Sequence, residues 1–281
     1  MLSTAPVRVL TEQDRPSVLE LLDQDPVTNV FVASRVQAAG GLEPWRLGGE
    51  LWGHLVDDRL VSLCYAGANL VPVAATPEAV AAFADRARRQ GRRCSSIVGP
   101  ADVVDPLWRR LEPEWGPARD VRRCQPLLAT RRPAPVPADP AVRRVRPDEV
   151  DVVLPASVAM FTEEVGVSPL LGDGGAAYRA RLAELVRAGR AFARIEGGEV
   201  VFKAEVGAVS PAACQVQGVW VAPRWRGRGL SEAGMAAVVE AALGEIAPVV
   251  SLYVNDFNRP ARAAYARVGF TQVGTLMSVL F

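Results

Sequence analysis

From Val219 to Leu243 the chain reads VWVAPRWRGRGLSEAGMAAVVEAAL, an apolar stretch joined to a helical pattern by a turn of glycine and arginine. Amides at the start of a helix have no intrahelical partner, and together with the helix dipole they make a site for an anion. Gly227 and Gly229 free the backbone for close approach, Arg226 and Arg228 add positive charge, and Ser231 offers a hydroxyl. A pyrophosphate is the ligand such a turn suits best. Familiar phosphate loops do not fit: a dinucleotide fingerprint begun at Gly227 needs glycine where Glu232 stands, and the P-loop spacing Gly229 to Gly234 is followed by Met235 rather than lysine. Lys203 is the only lysine, so no P-loop exists in this chain, and the kinase glycine loop lacks its catalytic-loop companion.

A second block, LYVNDFNRPARAAYARVGF, follows the first. Asn258 stands where a helix N-cap is expected, with Pro260 tolerated in the first turn. Ala261, Ala264, Tyr265 and Val268 share one helical face, which suits an inward aromatic.

The two blocks, in this order, resemble the acetyl-CoA motifs of the GNAT superfamily of N-acetyltransferases. Arg224, Gly227 and Gly229 meet the pattern Gln/Arg-x-x-Gly-x-Gly/Ala, and Asn258, Ala261, Tyr265, Gly269 and Phe270 meet the second region. The likeness covers about Val142 to Phe281. The whole chain resembles an actinobacterial type in which an N-terminal, acetyltransferase-like domain of undefined function precedes the active one.

The resemblance implies acetyl-CoA as cofactor, CoA as product, an amine as acceptor, and direct transfer in a ternary complex without a covalent enzyme intermediate. It implies that the backbone of Val219 and Val221, with Trp220 between them, pairs with the pantetheine arm. The N–H groups of Arg226, Gly227, Arg228, Gly229, Leu230 and Ser231 would hold the pyrophosphate, with Asn255 and Asn258 near the thiol end. Tyr265 falls where the family places a general acid, and a phenol of ordinary pKa about 10 keeps its proton at neutral pH.

The attacking amine is an ammonium near pH 7 and needs a base. No histidine lies in the second half, so the candidates are carboxylates: Glu205 first, then Glu164 and Glu163. Lys203 and Glu205 alternate onto one strand face, so a plain ion pair or a solvated strand face is the alternative expectation there. Two readings of other classes stand beside the enzyme. One is a non-catalytic CoA-binding sensor or regulatory module; the other is aminoacyl transfer from transfer RNA, which the near-neutral charge disfavours.

The order of strands and helices reads as mixed α/β, and the resemblance implies tandem GNAT-like domains, each a mixed, mostly antiparallel sheet flanked by helices, the second complete with the acetyl-CoA site. Four prolines in RRPAPVPADP forbid a helix there, so domains are expected at residues 1–130 and 141–281 around a linker at 131–140. The restart VRRVRPDEVDVV from Val142 echoes VRVLTEQDRPSV from Val7. In the first half a hairpin is expected near Leu51 to Tyr65, a helix from Thr76 to Gly91, a strand near Ser96 and a helix around Leu107.

Composition is that of a folded protein: 49% hydrophobic and 22% charged, with 32 basic and 31 acidic residues. Nucleic acid and membrane are not expected as partners, and MLSTAPVRVLTEQD carries no secretory pattern, so a cytoplasmic monomer or homodimer is the expectation. Cys64, Cys94, Cys124 and Cys214 are widely spaced and His54 is the sole histidine, so buried free thiols are expected and no metal site.

Overall fold

Both halves of the chain begin with the same local device. Arg8 grips Asp14, six residues on, through both guanidinium nitrogens at 2.7 and 2.6 Å, while Asp14 accepts the Thr11 amide at 2.8 Å. In the same register Arg143 grips Glu149 at 2.7 Å twice, and Glu149 accepts the Arg146 amide at 2.9 Å. Each carboxylate closes the first turn ahead of a helix and is held down to about 2 by its arginine. The echo between Val7 and Val142 is therefore a repeated piece of structure.

In the computed structural model, residues 7–171 and 174–281 are described. Two expectations touch residues outside these: the leader reading on residues 1–6, and part of the acceptor loop, Gly172 and Asp173. No helix among the described residues is long and apolar enough to cross a membrane. The chain divides into two units, one of residues up to Leu127 with Tyr253–Phe257 and Gln272–Phe281, the other of Leu128–Leu252 with Asn258–Thr271.

The first unit runs β1 (Val7–Val9), α1 (Arg15–Asp23), α2 (Val30–Ala39), α3 (Pro44–Leu47), β2 (Gly49–Val56), β3 (Arg59–Gly67), β4 (Asn69–Val73), α4 (Pro77–Gln90), β5 (Ser96–Pro100), α5 (Ala101–Trp115) and β6 (Asp120–Thr130). β1, β2, β3 and β4 pair antiparallel in turn, and β4 meets β5 in parallel at Asn69–Ser96 and Leu70–Ile97. Successive strand residues face opposite sides. Leu51 and Leu63 join Val18, Leu22 and Val36 beneath α1 and α2, while Trp52 and Cys64 join Phe83, Leu107 and Trp108 beneath α4 and α5. The expected hairpin, both helices and the Ser96 strand are present; α2, α3, β4 and β6 are additional. Three thiols are buried, but Cys124 is exposed, a correction to the expectation for all four, because it lies on an outward position of β6.

The second unit runs β7 (Arg143–Arg144), α6 (Val150–Val165), α7 (Ala176–Arg187), β8 (Ala191–Glu196), β9 (Glu199–Val209), β10 (Cys214–Val221), α8 (Leu230–Glu245), β11 (Val250–Tyr253) and α9 (Arg259–Val268). Its strands lie in the order β11-β10-β9-β8-β7, antiparallel except for β10 with β11. Val153 and Ala156 of α6 and Leu182 and Val186 of α7 close one core over Ala191, Ala193 and Val200. The proline-rich segment 131–140 falls inside this unit, after the division at Leu127.

The last strand, β12 (Thr271–Leu280), departs from a sequential division. It pairs antiparallel with β5 of the first unit from Leu276–Pro100 to Leu280–Ser96. Met277 and Val279 are buried in the first unit's core with Trp52, Phe83 and Trp108. Alternating apolar residues specify a strand and its inward face, but not the strand it pairs with.

Candidate functional site

The site begins where two neighbouring strands part. β10 pairs with β9 as far as Val221–Phe202, but its parallel ladder with β11 covers Cys214–Val250 and Gln215–Ser251 alone. From Val216 onward that edge of β10 lies outside the ladder. The chain then passes through a short 3-10 turn at Pro223–Trp225 and the two glycines, Gly227 with φ 76° and Gly229 with φ 74°, into α8. The amides of Glu232 and Ala233 donate to the Gly229 carbonyl at 3.0 and 3.2 Å. Those of Gly229, Leu230 and Ser231 have no partner among the described residues, and Gly229 supplies no capping side chain. Three amides at a helix start, beside an open strand edge, fit an anion carried on an extended arm.

The arginines of the turn brace it. Arg224 is ion-paired with Glu199. Arg226 donates through Nε to the Val221 carbonyl at 3.0 Å and through Nη2 to Glu163 at 2.7 Å. Arg228 lies over the Trp225 ring at 4.9 Å. Charge stays near the turn, and the donors without a partner among the described residues at this helix start are main-chain amides.

In the first unit the corresponding strand-to-helix turn is closed. β4 and β5 also pair only at two residues, yet Pro72 brings no amide to the strand. Thr76 caps α4 by accepting the Ala79 amide at 3.2 Å, and Pro77 follows. With the helix start capped by its own side chain, this turn has no cradle for an anion.

α9 carries Tyr265. Asn258 caps the helix, accepting the Ala261 amide at 3.3 Å. Tyr265 is 6% exposed, meets Phe270 edge to face at 6.0 Å, and its hydroxyl has no partner among the described residues. Burial, and then the negative charge of Glu164, push its pKa well above the ordinary phenol value. Tyr265 and Glu164, brought from α9 and the last turn of α6, are thus electrostatically coupled.

The other two carboxylates are engaged elsewhere. Glu163 accepts Trp220 Nε1 at 3.1 Å and the Arg226 guanidinium, tying α6 to β10 and to the glycine turn. Glu205 is buried and paired with Lys203 at 2.6 Å, the plain ion pair expected as one alternative. Lys203 also donates to the Gly218 carbonyl at 3.2 Å. Gly218, which sequence reasoning passed over, sits at a bulge of β10 with φ 61°. A glycine inside an alternating strand was the available signal.

Asn255 follows β11. It lies in the first unit, buried, accepting from Gln125 Nε2 at 2.9 Å, while Gln125 Oε1 accepts Ser278 Oγ at 2.6 Å. Its side chain serves a buried polar chain of that unit, and Gln125 and Ser278 had no motif to reveal them.

Comparison with known proteins agrees with this geometry. Residues 175–270 match the Acetyltransferase (GNAT) family model, and residues 49–153 match a domain of unknown function, DUF4081. No curated protein matches the chain. Among solved structures, a Drosophila protein aligns at TM-score 0.67 and 15% identity over 99% of both chains. A GCN5-related N-acetyltransferase from Sphaerobacter thermophilus aligns at 0.58 and 17% over 100% of this chain and 96% of that one. A tandem GNAT protein from the clavulanic acid biosynthesis pathway aligns at 0.53 and 15% over 98% of both. At these identities the likeness is one of fold. With the parted strands, the amide-lined turn and the family match on the same residues, residues 175–270 form a GNAT-family acetyltransferase domain, which marks the protein as an acyltransferase.

Proposed function

We propose that the protein is an acetyl-CoA-dependent N-acetyltransferase that moves an acetyl group to a primary amine of a small molecule, peptide or protein by direct attack in a ternary complex. The observation that carries this reading is the free edge of β10 running into three unpartnered amides at the start of α8. An extended arm pairs with the backbone of Val219 and Val221, and its pyrophosphate rests on the amides of Gly229, Leu230 and Ser231, with Gly227 opening the turn.

The amine lone pair attacks the thioester carbon, and the carbon–sulfur bond breaks. Tyr265 donates its proton to the departing thiolate, for which its raised pKa keeps it protonated. The proton lost by the amine passes, directly or through water, to Glu164. Glu164 is preferred over Glu205 and Glu163 because its charge acts on Tyr265, the proton donor of the same step.

The test is calorimetric titration of CoA followed by measurement of thiol release from acetyl-CoA over a panel of primary amines. Wild type binds CoA, and Gly229→Val, forced into a left-handed φ without gaining a contact, loses affinity by about ten-fold or more. Absence of binding at millimolar CoA would sink the reading. Binding without acetylation of any amine would favour the sensor instead.

A further inference from the structure

Of the 32 lysines and arginines in the chain, only Lys203 is a lysine, and it is 1% exposed. Its Nζ reaches two acceptors, Glu205 Oε1 at 2.6 Å and the Gly218 carbonyl at 3.2 Å. Along β10, Gln217 is opposite Glu205 and Trp220 opposite Lys203, so Gly218 and Val219 together occupy one place in the ladder. A Cβ on Gly218 would lie 3.1 Å from Met160 Cε, 3.2 Å from Lys203 Nζ and 3.4 Å from Glu205 Oε2. The bulge, the ammonium and Met160 of α6 are packed closely together.

The Gly218 carbonyl and the Val219 amide belong to one planar trans peptide and point in opposite directions. A donor that holds the oxygen therefore also sets the direction of the N–H. A buried ion pair is a weak source of stability compared with apolar residues in its place. Here it has a directional task.

We propose that Lys203 is a positioning residue for the thioester cofactor. By anchoring the Gly218 carbonyl it turns the Val219 N–H to the other side of β10, ready to pair with the cofactor arm, and Glu205 holds the ammonium in place. The proposal rests on the acetyl-CoA reading above.

Two neutral pairs in the full chain separate positioning from simple stability. K203Q/E205Q retains a donor for the Gly218 carbonyl; K203M/E205Q does not. Each is measured for its denaturant midpoint and for its Kd for CoA. K203Q/E205Q is expected to bind CoA within about three-fold of wild type, and K203M/E205Q about ten-fold more weakly, whatever their midpoints. Equal affinity of the two folded pairs would overturn the proposal while leaving the acetyl-CoA reading intact. Should K203M/E205Q not fold, K203M/E205L, which removes the buried amide as well, takes its place in the same comparison. Failure of the wild-type chain to bind CoA would overturn the function and this inference together.

Discussion

A phenol serves as an acid only while it holds its proton, and burial of Tyr265 with Glu164 nearby extends that range upward. Tyr265→Phe is expected to lower kcat by about 10- to 100-fold with the Kd for CoA unchanged, measured by thiol release and calorimetry. Because the pKa is raised, the tyrosine imposes no loss of wild-type activity as pH rises from 7 to about 10. Glu164→Gln is expected to cost a similar factor at pH 7. That deficit narrows toward about pH 10, where more of the amine is already unprotonated and needs no base. A constant deficit across this range would remove Glu164 from the proton path. Distinguishing the carboxylates was beyond sequence, since Glu163 and Glu164 are neighbours in the chain, while the structure brings Trp220 and Arg226 to Glu163 and sets the charge of Glu164 near Tyr265.

At the scale of elements, what was legible was local. The glycine turn, the Asn258 cap and the face of α9 that buries Tyr265 all depend on residues within a few positions of one another, and each formed where its spacing predicted. The Gly218 bulge was not legible, because a bulge is a property of two strands in register and only one was being read. The repeated helix starts give a further test. Glu149, depressed from its ordinary 4.5 to about 2 by Arg143, contributes stability that is fully present above about pH 4.5 and is lost as pH falls through 2. Glu149→Gln should destabilise the protein by roughly 1–2 kcal/mol at pH 7 in chemical denaturation, with the gap from wild type closing toward pH 2. Divergence between the halves lies in another short segment: a threonine cap and two prolines stand in the first unit where the second has glycines and open amides.

At the scale of the molecule, the chain passes between its two units more than once, and β12 is the plainest instance. Val279→Ala should cost roughly 2 kcal/mol, since the site is fully buried, and hydrogen exchange should accelerate in β5 and across the core of Trp52, Phe83 and Trp108. If exchange accelerated in α8 and β10 alone, the assignment of β12 to the first unit would be wrong. Sequential reading missed this because proline marks where a chain is stiff, not which core its later residues enter. The placement of β12 also bears on synthesis. The unit that leaves the ribosome first lacks one of its own strands until the entire glycine-turn unit has been made, so its β5 edge stands open through that interval. The earlier-born half must therefore finish folding last, and a nascent chain stalled before residue 272 would leave that half, rather than the acetyltransferase motifs, as the part exposed to aggregation.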